Sequence, residues 1–475
     1  MKRTIITLAL AIITMGCAKA QTSNLLLASD FVPQRTYLNP SFFPESHRLY
    51  VALPGLNMTY NAMGPINDYL YYDKESKSTT VNLNELMDNL RDGNHIVSDI
   101  DLNIFGFGFR ATPKLFFTFS VEMRTHILSG FPPELYNLLH EGNTHHLGDN
   151  PLVMTDGDFL HATSYRQLAI GVGYEPLPGL KVGLRAKKLR GTLDVSTANT
   201  YFNLYTSPDY SSMQADLYYQ VRMCLPFKHD EEGYQFRNII PAKGNRGFAF
   251  DLGAEYSVGK WDFSAALLDL GGKVKWKNDI YLSTPDGNDT AHFSFTGINM
   301  DGYFNGNGGT GGSLRDSLSH FLSTDSNNVA APYTTTIPTR FNLGASYRVL
   351  PALKLAASFH GEVDKTLQTH EGCTAERLFF YNATLSAHYK VKKWLELSLG
   401  NSVVDYGSGV RPFNLSYGAT LNIANTVQLY VLIDHLTHPH LLEAKHCSVY
   451  YGINILAGKG VDKPLQTSDN VRYEL

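Results

Sequence analysis

Apolar and polar side chains alternate one by one along most of this chain, which restricts it to sheets with one greasy face and one wet face. Leu115, Phe117, Phe119, Val121 and Met123 share one side of a segment whose other side carries Thr118, Ser120, Glu122 and Arg124. Phe248, Phe250, Leu252, Ala254 and Tyr256 oppose Asp251, Gly253 and Glu255. Leu353, Leu355, Ala357 and Phe359 oppose Lys354, Ala356, Ser358 and His360, and the run from Phe413 to Ile423 repeats the pattern. In the clear segments the apolar side holds no charge. The polar side holds Arg110, Glu122, Arg124, Lys181, Arg185, Asp251, Glu255, Asp262, Lys354, Glu362 and Glu396. A charge facing lipid at mid-membrane costs about 2–4 kcal/mol, so a membrane barrel requires this segregation. A soluble sandwich alternates too, and periodicity alone leaves both architectures open.

Two further features choose between them. Tyr174, Tyr256, Tyr347 and Tyr389 sit on the apolar side just before short turns, and Trp261 and Trp394 begin the segments after two of those turns. Such rings form the aromatic girdle of one membrane interface. Tight turns fall near 111–114, 175–179, 257–260, 348–352, 390–393 and 424–426, and they alternate with seven longer connections. That spacing predicts an all-β chain, a transmembrane antiparallel β-barrel of about 14 strands with short periplasmic turns and long outer loops. Closure leaves no sheet edge unpaired in lipid.

The start of the chain supports export. Lys2 and Arg3 precede an apolar stretch from Ile5 to Met15, and Ala18-Lys19-Ala20 offers a cleavage site before Gln21. This is the layout of a signal peptide, residues 1–20. Cys17 after Gly16 raises a lipidation alternative, but Thr14 stands where that signal usually has leucine. Cleavage removes three cations and takes the formal charge from −4 to −7, which suggests no polyanionic partner such as nucleic acid. It leaves Cys224, Cys373 and Cys447, an odd, widely spaced set that excludes a disulfide scaffold. Residues 21–48 are expected as a periplasmic or plug segment, 49–458 as the barrel and 459–475 as a polar tail. The expected location is the cell outer membrane.

Several short motifs carry a family resemblance: Leu38-Asn39-Pro40-Ser41-Phe42, Leu53-Pro54-Gly55, Pro133-Glu134-Leu135 running to Glu141-Gly142-Asn143, and Leu268-Asp269-Leu270-Gly271 with Trp276. Together they resemble an uncharacterised family of outer-membrane barrels from Bacteroidetes-type bacteria. The chain is also distantly similar to the fatty-acid-transporter-like 14-stranded barrels. The resemblance implies location and fold, and no chemistry. One departure is the ending Val471-Arg472-Tyr473-Glu474-Leu475, since such barrels commonly finish on an aromatic residue.

Motifs for chemistry are weak. Gly306-Asn307-Gly308-Gly309-Thr310-Gly311 spells a dinucleotide fingerprint but lacks the βαβ context that would aim a helix at a pyrophosphate. It reads as a glycine loop leading into a short amphipathic helix with Leu314, Leu318, Phe321 and Leu322. Asp434, His435, His438, His440, His446 and Cys447 gather in one outer loop with donors for a transition metal, in no closed-site spacing, and His140, His145 and His146 offer less. Ser358, His360 and Glu362 share one inward face, but residues two apart in a strand are about 7 Å apart, too far for direct proton relay. No catalytic residue, cofactor or metal is assigned. The lumen candidates are Arg110, Glu122, Arg124, Lys181, Arg185, Asp251, Glu255, Lys354, His360 and Glu396. The expected function is non-enzymatic passage of hydrophobic or amphipathic small molecules, the alternative a closed barrel serving as a surface assembly or attachment partner. Outer-membrane lipid and the barrel-insertion machinery are the expected partners.

Overall fold

Each alternating run pairs with the next in the chain, and the last returns to the first. The computed structural model describes residues 24–44, 47–61, 70–73, 78–81, 95–130, 138, 142–155, 160–225, 228–230, 233–235, 244–285, 289–295, 324–329, 331–364, 378–405, 410–436 and 446–459. Within them the ring comprises β1 (His47–Ala52, resuming as Gly55–Asn61), β2 (His95–Thr112), β3 (Leu115–Gly130), β4 (Leu160–Leu177) and β5 (Leu180–Thr206). It continues through β6 (Arg246–Val258), β7 (Trp261–Trp276), β8 (Thr339–Leu350), β9 (Leu353–Asp364) and β10 (Leu378–Lys392). It ends with β11 (Leu395–Asp405), β12 (Arg411–Ile423), β13 (Val427–Leu436) and β14 (His446–Lys459). Every neighbouring pair is antiparallel, and β1 closes the ring by pairing with β14 on one side and β2 on the other. Closure satisfies every strand edge within the ring.

All six expected tight turns join neighbouring strands, ending on the pairs Thr112↔Leu115, Leu177↔Leu180, Val258↔Trp261, Leu350↔Leu353, Lys392↔Leu395 and Ile423↔Val427. The chain reverses at Gly179 with φ +83°, a left-handed conformation open to glycine without a Cβ clash. By the rule for such barrels, this end faces the periplasm.

The greasy side faces outward. Phe117, Phe250, Leu252, Leu355 and Phe413 are exposed, whereas Glu122 is 3% and Arg185 1% exposed. Tyr174, Tyr256, Tyr389, Trp261 and Trp394 are also exposed at the short-turn end, and the Trp261 and Tyr347 rings meet in a tilted contact with centroids 4.8 Å apart. The outward side is charge-free only across this apolar band. Farther up, β5 to β7 carry Lys188, Arg246, Lys273 and Lys275 outward. The physical reason is length: β5 has 27 residues, while about 9–11 span the hydrocarbon layer. Beyond the bilayer the strands continue into the outer loops, where Met213–Cys224 pairs with the end of β5 and Tyr333–Thr336 with the end of β7.

Inside the ring lies Asn24–Pro44. A short helix α1 (Asn24–Ala28) leads to a 3₁₀ turn (Pro33–Tyr37), and Leu25, Leu26, Leu27, Val32, Leu38 and Phe42 pack on Tyr430, Leu432 and Tyr450 of β13 and β14. The signal peptide, the polar tail, Cys373, the Gly306–Gly311 run, the helix carrying Leu314 and Leu322, His140, His438 and His440 lie outside the described residues.

Candidate functional site: a filled lumen and a broken seam in its wall

Residues at even or odd positions of each strand point inward together, so the lumen inherits the polar half of every alternating run. Arg110, Glu122, Arg124, Lys181, Arg185, Asp251, Glu255, Lys354, His360 and Glu396 are all buried on this inner side. The ring brings most of them into one lattice. Glu122 accepts Arg185 at 2.7 Å and Arg124 at 3.1 Å, while Lys181 meets Glu255 at 2.8 Å. Lys187 bridges Asp251 and Asp269, both at 2.6 Å, and Asp269 also draws Arg340 from β8 and Arg124 from β3. Buried charges survive only when paired in this way.

The remaining candidates serve the inner segment or stand apart. Arg110 donates to the Pro44 carbonyl, Ser29 donates to Glu396 at 2.7 Å, and His360 Nδ1 meets Asn342 Oδ1 at 2.6 Å. Asp262 is half-buried beside the inner segment, lining a small cavity with Arg35 and Glu255. Asp434, His446 and Cys447, expected in one outer loop, belong instead to β13 and β14, where all three are buried and Asp434 pairs in register with Ser448. The sheet pairing continues farther than the polar composition of that stretch suggested.

The inner segment is held by reversible contacts at the short-turn end. Asp30 sits among Arg35 and Lys354, each at 2.7 Å, and Arg348 at 3.2 Å. Burial alone would raise its pKa, but Lys354, Arg35, Arg348 and Lys390 together hold the Asp30 carboxyl well below the usual carboxylate range. Asn24 donates to Thr384 at 2.9 Å, Asn342 to the Leu38 carbonyl at 2.8 Å and Gln428 to the Phe31 carbonyl at 2.9 Å. Arg35 stacks over Phe42 and Arg185 over Tyr37.

The Leu38–Phe42 motif rests on a ledge of glycines. Gly173, Gly183 and Gly253 stand side by side in register on β4, β5 and β6. A Cβ on any of them would strike Phe43, the Pro40–Ser41 backbone or Asn39. Asn39 pins the motif by donating to the Ala254 and Ala265 carbonyls at 3.1 and 3.2 Å.

A second closure lies toward the outer end. His126 of β3 contacts its cross-strand neighbour Asp99 and, across the lumen, Asp364 of β9 at 2.8 Å. Val97 and Leu128 likewise pack on Phe380 and Val404 of β10 and β11. Opposite walls touch here. Asp99, His126 and Glu362 each offer a ligand atom within 4.8 Å of the others, a donor set that suits a transition metal.

Between these closures the wall is irregular. β1 breaks at Leu53 and Pro54, where proline lacks the N–H for pairing, and its register against β14 shifts from Ala52↔Asn454 to Leu56↔Tyr451. Beside it, β2 carries a bulge between Asn103 and Phe105. Behind this seam is a cavity of about 30 Å³, lined from inside by Tyr37, Asn57, Asp101, Glu122 and Arg124 and from the lipid side by Leu56 and Tyr451. It holds about one water molecule.

Sequence reasoning named the Leu53-Pro54-Gly55 and Leu268-Asp269-Leu270-Gly271 motifs without a role. It missed Asp30, Arg35, His126, Lys187 and Asp269. Lys187 was legible, because it continues the inward set of Lys181 and Arg185 at a spacing of two. Asp269 was not: it sits at a bulge with φ +58°, out of phase with the alternation.

A closed antiparallel ring with an apolar belt, an aromatic girdle and a lumen filled by its own N-terminal segment defines an outer-membrane β-barrel protein. The chain belongs to the family described as "Family of unknown function (DUF5723)", whose pattern spans residues 40–434. Among curated proteins none matches. Solved structures with a similar course include a Pseudomonas aeruginosa FadL homologue, with TM-score 0.40, 10% identity, and coverage of 89% of this chain and 93% of that one. A mutant of the TodX monoaromatic hydrocarbon channel has TM-score 0.43 and 10% identity, covering 92% and 95%. The CymD monoaromatic hydrocarbon channel has TM-score 0.34 and 9% identity, covering 90% and 94%. At these scores the barrel assignment rests on the strand register and not on the likeness.

Proposed function

We propose that this barrel passes hydrophobic or amphipathic small molecules by diffusion, without covalent chemistry, and that the inner segment Asn24–Pro44 is its plug. The observation that carries this reading is the seam cavity: it lies between the two closures and is lined from both the lumen and the lipid side. A molecule released there would leave sideways through this interrupted pairing and enter the membrane without crossing water. Passage requires the plug to shift, and its attachment by hydrogen bonds, ion pairs and stacked cations is of the kind that exchanges with water at modest cost.

The competing reading is a sealed barrel that serves as a surface assembly or attachment partner. It is favoured by cavity size, since the seam cavity and two others beside the plug and the outer closure hold only about 20–30 Å³ each. Uptake of a fluorescent long-chain fatty acid into proteoliposomes, with single-channel conductance recorded alongside, separates the two. Transport predicts uptake above that of protein-free vesicles, and faster uptake when Asp30 is replaced by Asn to loosen the plug. A barrel that neither conducts nor takes up the probe in either form overturns the channel reading.

A further inference from the structure

The exterior of β4 to β7 carries a feature that neither the plug nor the seam uses. Arg166 pairs in register with Arg190, Arg190 with Arg246, and Arg246 with Lys275. Four cations thus stand side by side on four consecutive strands. One step toward the membrane the next row reads Leu168, Lys188, Phe248, Lys273. Lys188, Arg246, Lys273 and Lys275 are exposed, and the parity of Arg166 and Arg190 places them on the same outward side.

Like charges placed directly opposite across strands are destabilising, so the exposed Arg246–Lys275 pair, with Lys188 and Lys273 beside it, needs an anion to balance it. Among the described residues the register supplies none to these four. The flanking partners of the two rows are Met123, Val121, Thr334 and Thr336. Among the described residues, no acidic side chain lies within ion-pair distance of Lys188, Arg246, Lys273 or Lys275.

Position identifies the anion. Immediately below the two rows the outward side becomes Ile170, Ala186 and Phe250, then Leu184 and Leu252, the apolar band itself. About ten residues separate Phe248 from the girdle at Tyr256 and Trp261 at the opposite interface, which at the tilt of barrel strands spans the hydrocarbon thickness of about 25 Å. The cations therefore stand at the outer headgroup level, where long Lys and Arg stems keep their heads in the polar layer while lying on Leu168 and Phe248. We infer that the cluster Lys188, Arg246, Lys273 and Lys275 is a binding site for the phosphate groups of an outer-leaflet glycolipid, with the two apolar side chains of the lower row against the first carbons of its acyl chains. The exposed guanidinium fork of Arg246 suits a bidentate phosphate contact, and Lys188, Lys273 and Lys275 add charge.

The test uses the full-length barrel in neutral detergent, with lipid A as the probe and its enzymatically dephosphorylated form as the comparison, both titrated by native mass spectrometry. Lipid A is expected to bind at least tenfold more tightly than the dephosphorylated form, with the preference shrinking as salt rises. Each cation at the headgroup level contributes about fivefold, so Arg246→Gln/Lys275→Gln lowers lipid A affinity by roughly twenty- to thirtyfold. Lys392→Gln/Lys393→Gln, at a periplasmic turn, leaves it unchanged. Heat-modified migration in gels checks that each variant is folded. If a variant does not fold, the comparison of the two lipids on the natural chain still decides. Equal affinity for the two forms, undiminished binding by the folded Arg246/Lys275 variant, or full competition by millimolar inorganic phosphate overturns the assignment.

Discussion

Replacing Gly183 with alanine tests whether the plug rests on the glycine ledge. An added Cβ would lie less than 3.0 Å from the Pro40 carbonyl and the Ser41 amide, backbone atoms that cannot rotate away. Carbon contacts are comfortable at about 3.5–4.0 Å, so the plug backbone must retreat by at least about 0.5–1 Å. Overpacking of this kind costs about 1–3 kcal/mol. The usual benefit of alanine over glycine acts on the unfolded chain and cancels here, because β5 is folded whether the plug is docked or not. The undocked population should therefore rise about 5- to 150-fold. Trypsin reports it directly, since Arg35 is 9% exposed in the docked plug and becomes cleavable only when the plug leaves. When cleavage is slow relative to redocking, its rate follows the undocked population. Gly183→Ala should be cut faster by that factor and should conduct more often, and Gly253→Ala, whose Cβ meets Asn39 and Pro40, should shift the same way. Cleavage and conductance indistinguishable from the natural chain in both variants would refute the docking geometry.

Three further outcomes follow from the same contacts. Because the docked Asp30 carboxyl titrates well below its free value, its contribution is complete above the ordinary carboxylate range of about pH 4 and is lost as pH falls through the lowered value. Tryptic protection of Arg35 should thus be flat from neutral pH to about pH 4 and fall below it, whereas Asp30→Asn should cost about tenfold of protection at neutral pH; a loss of protection beginning near pH 6 contradicts this. Lys187→Met leaves the Asp251 and Asp269 carboxylates, at 0% and 1% exposure, short of a shared cation, and should destabilise the barrel by about 3–5 kcal/mol in urea unfolding from lipid vesicles. In the same assay Leu252→Arg, on the lipid side, should cost about 2–4 kcal/mol, and a cost near zero would mean that this face does not meet hydrocarbon.

How much of this was legible beforehand depended on distance along the chain. Phe117 against Glu122, or Leu252 against Asp251, announces which face is wet because adjacent residues in a strand point opposite ways. The six turns were legible for the same reason, as places where alternation stops and glycine, proline or charge intervenes. The lumen candidates appeared as a class, but their partners did not. Lys187 meets Asp269 from a strand 82 positions later, and His126 meets Asp364 from 238 positions later. Alternation records a side, not a neighbour.

The same limit hid the cation ladder. Arg166, Arg190, Arg246 and Lys275 are scattered singly over more than a hundred residues and become a row only through the register of β4 to β7. The sequence by itself determined the strands, their faces, the alternation of short and long connections, and hence a membrane ring, because these follow from local geometry and the cost of charge in lipid. Only the tertiary structure decided that the N-terminal segment fills the ring, that opposite walls touch above it, and where the wall is broken. Those outcomes depend on ring closure and stagger, which bring distant residues to one height, and no period of two encodes that height.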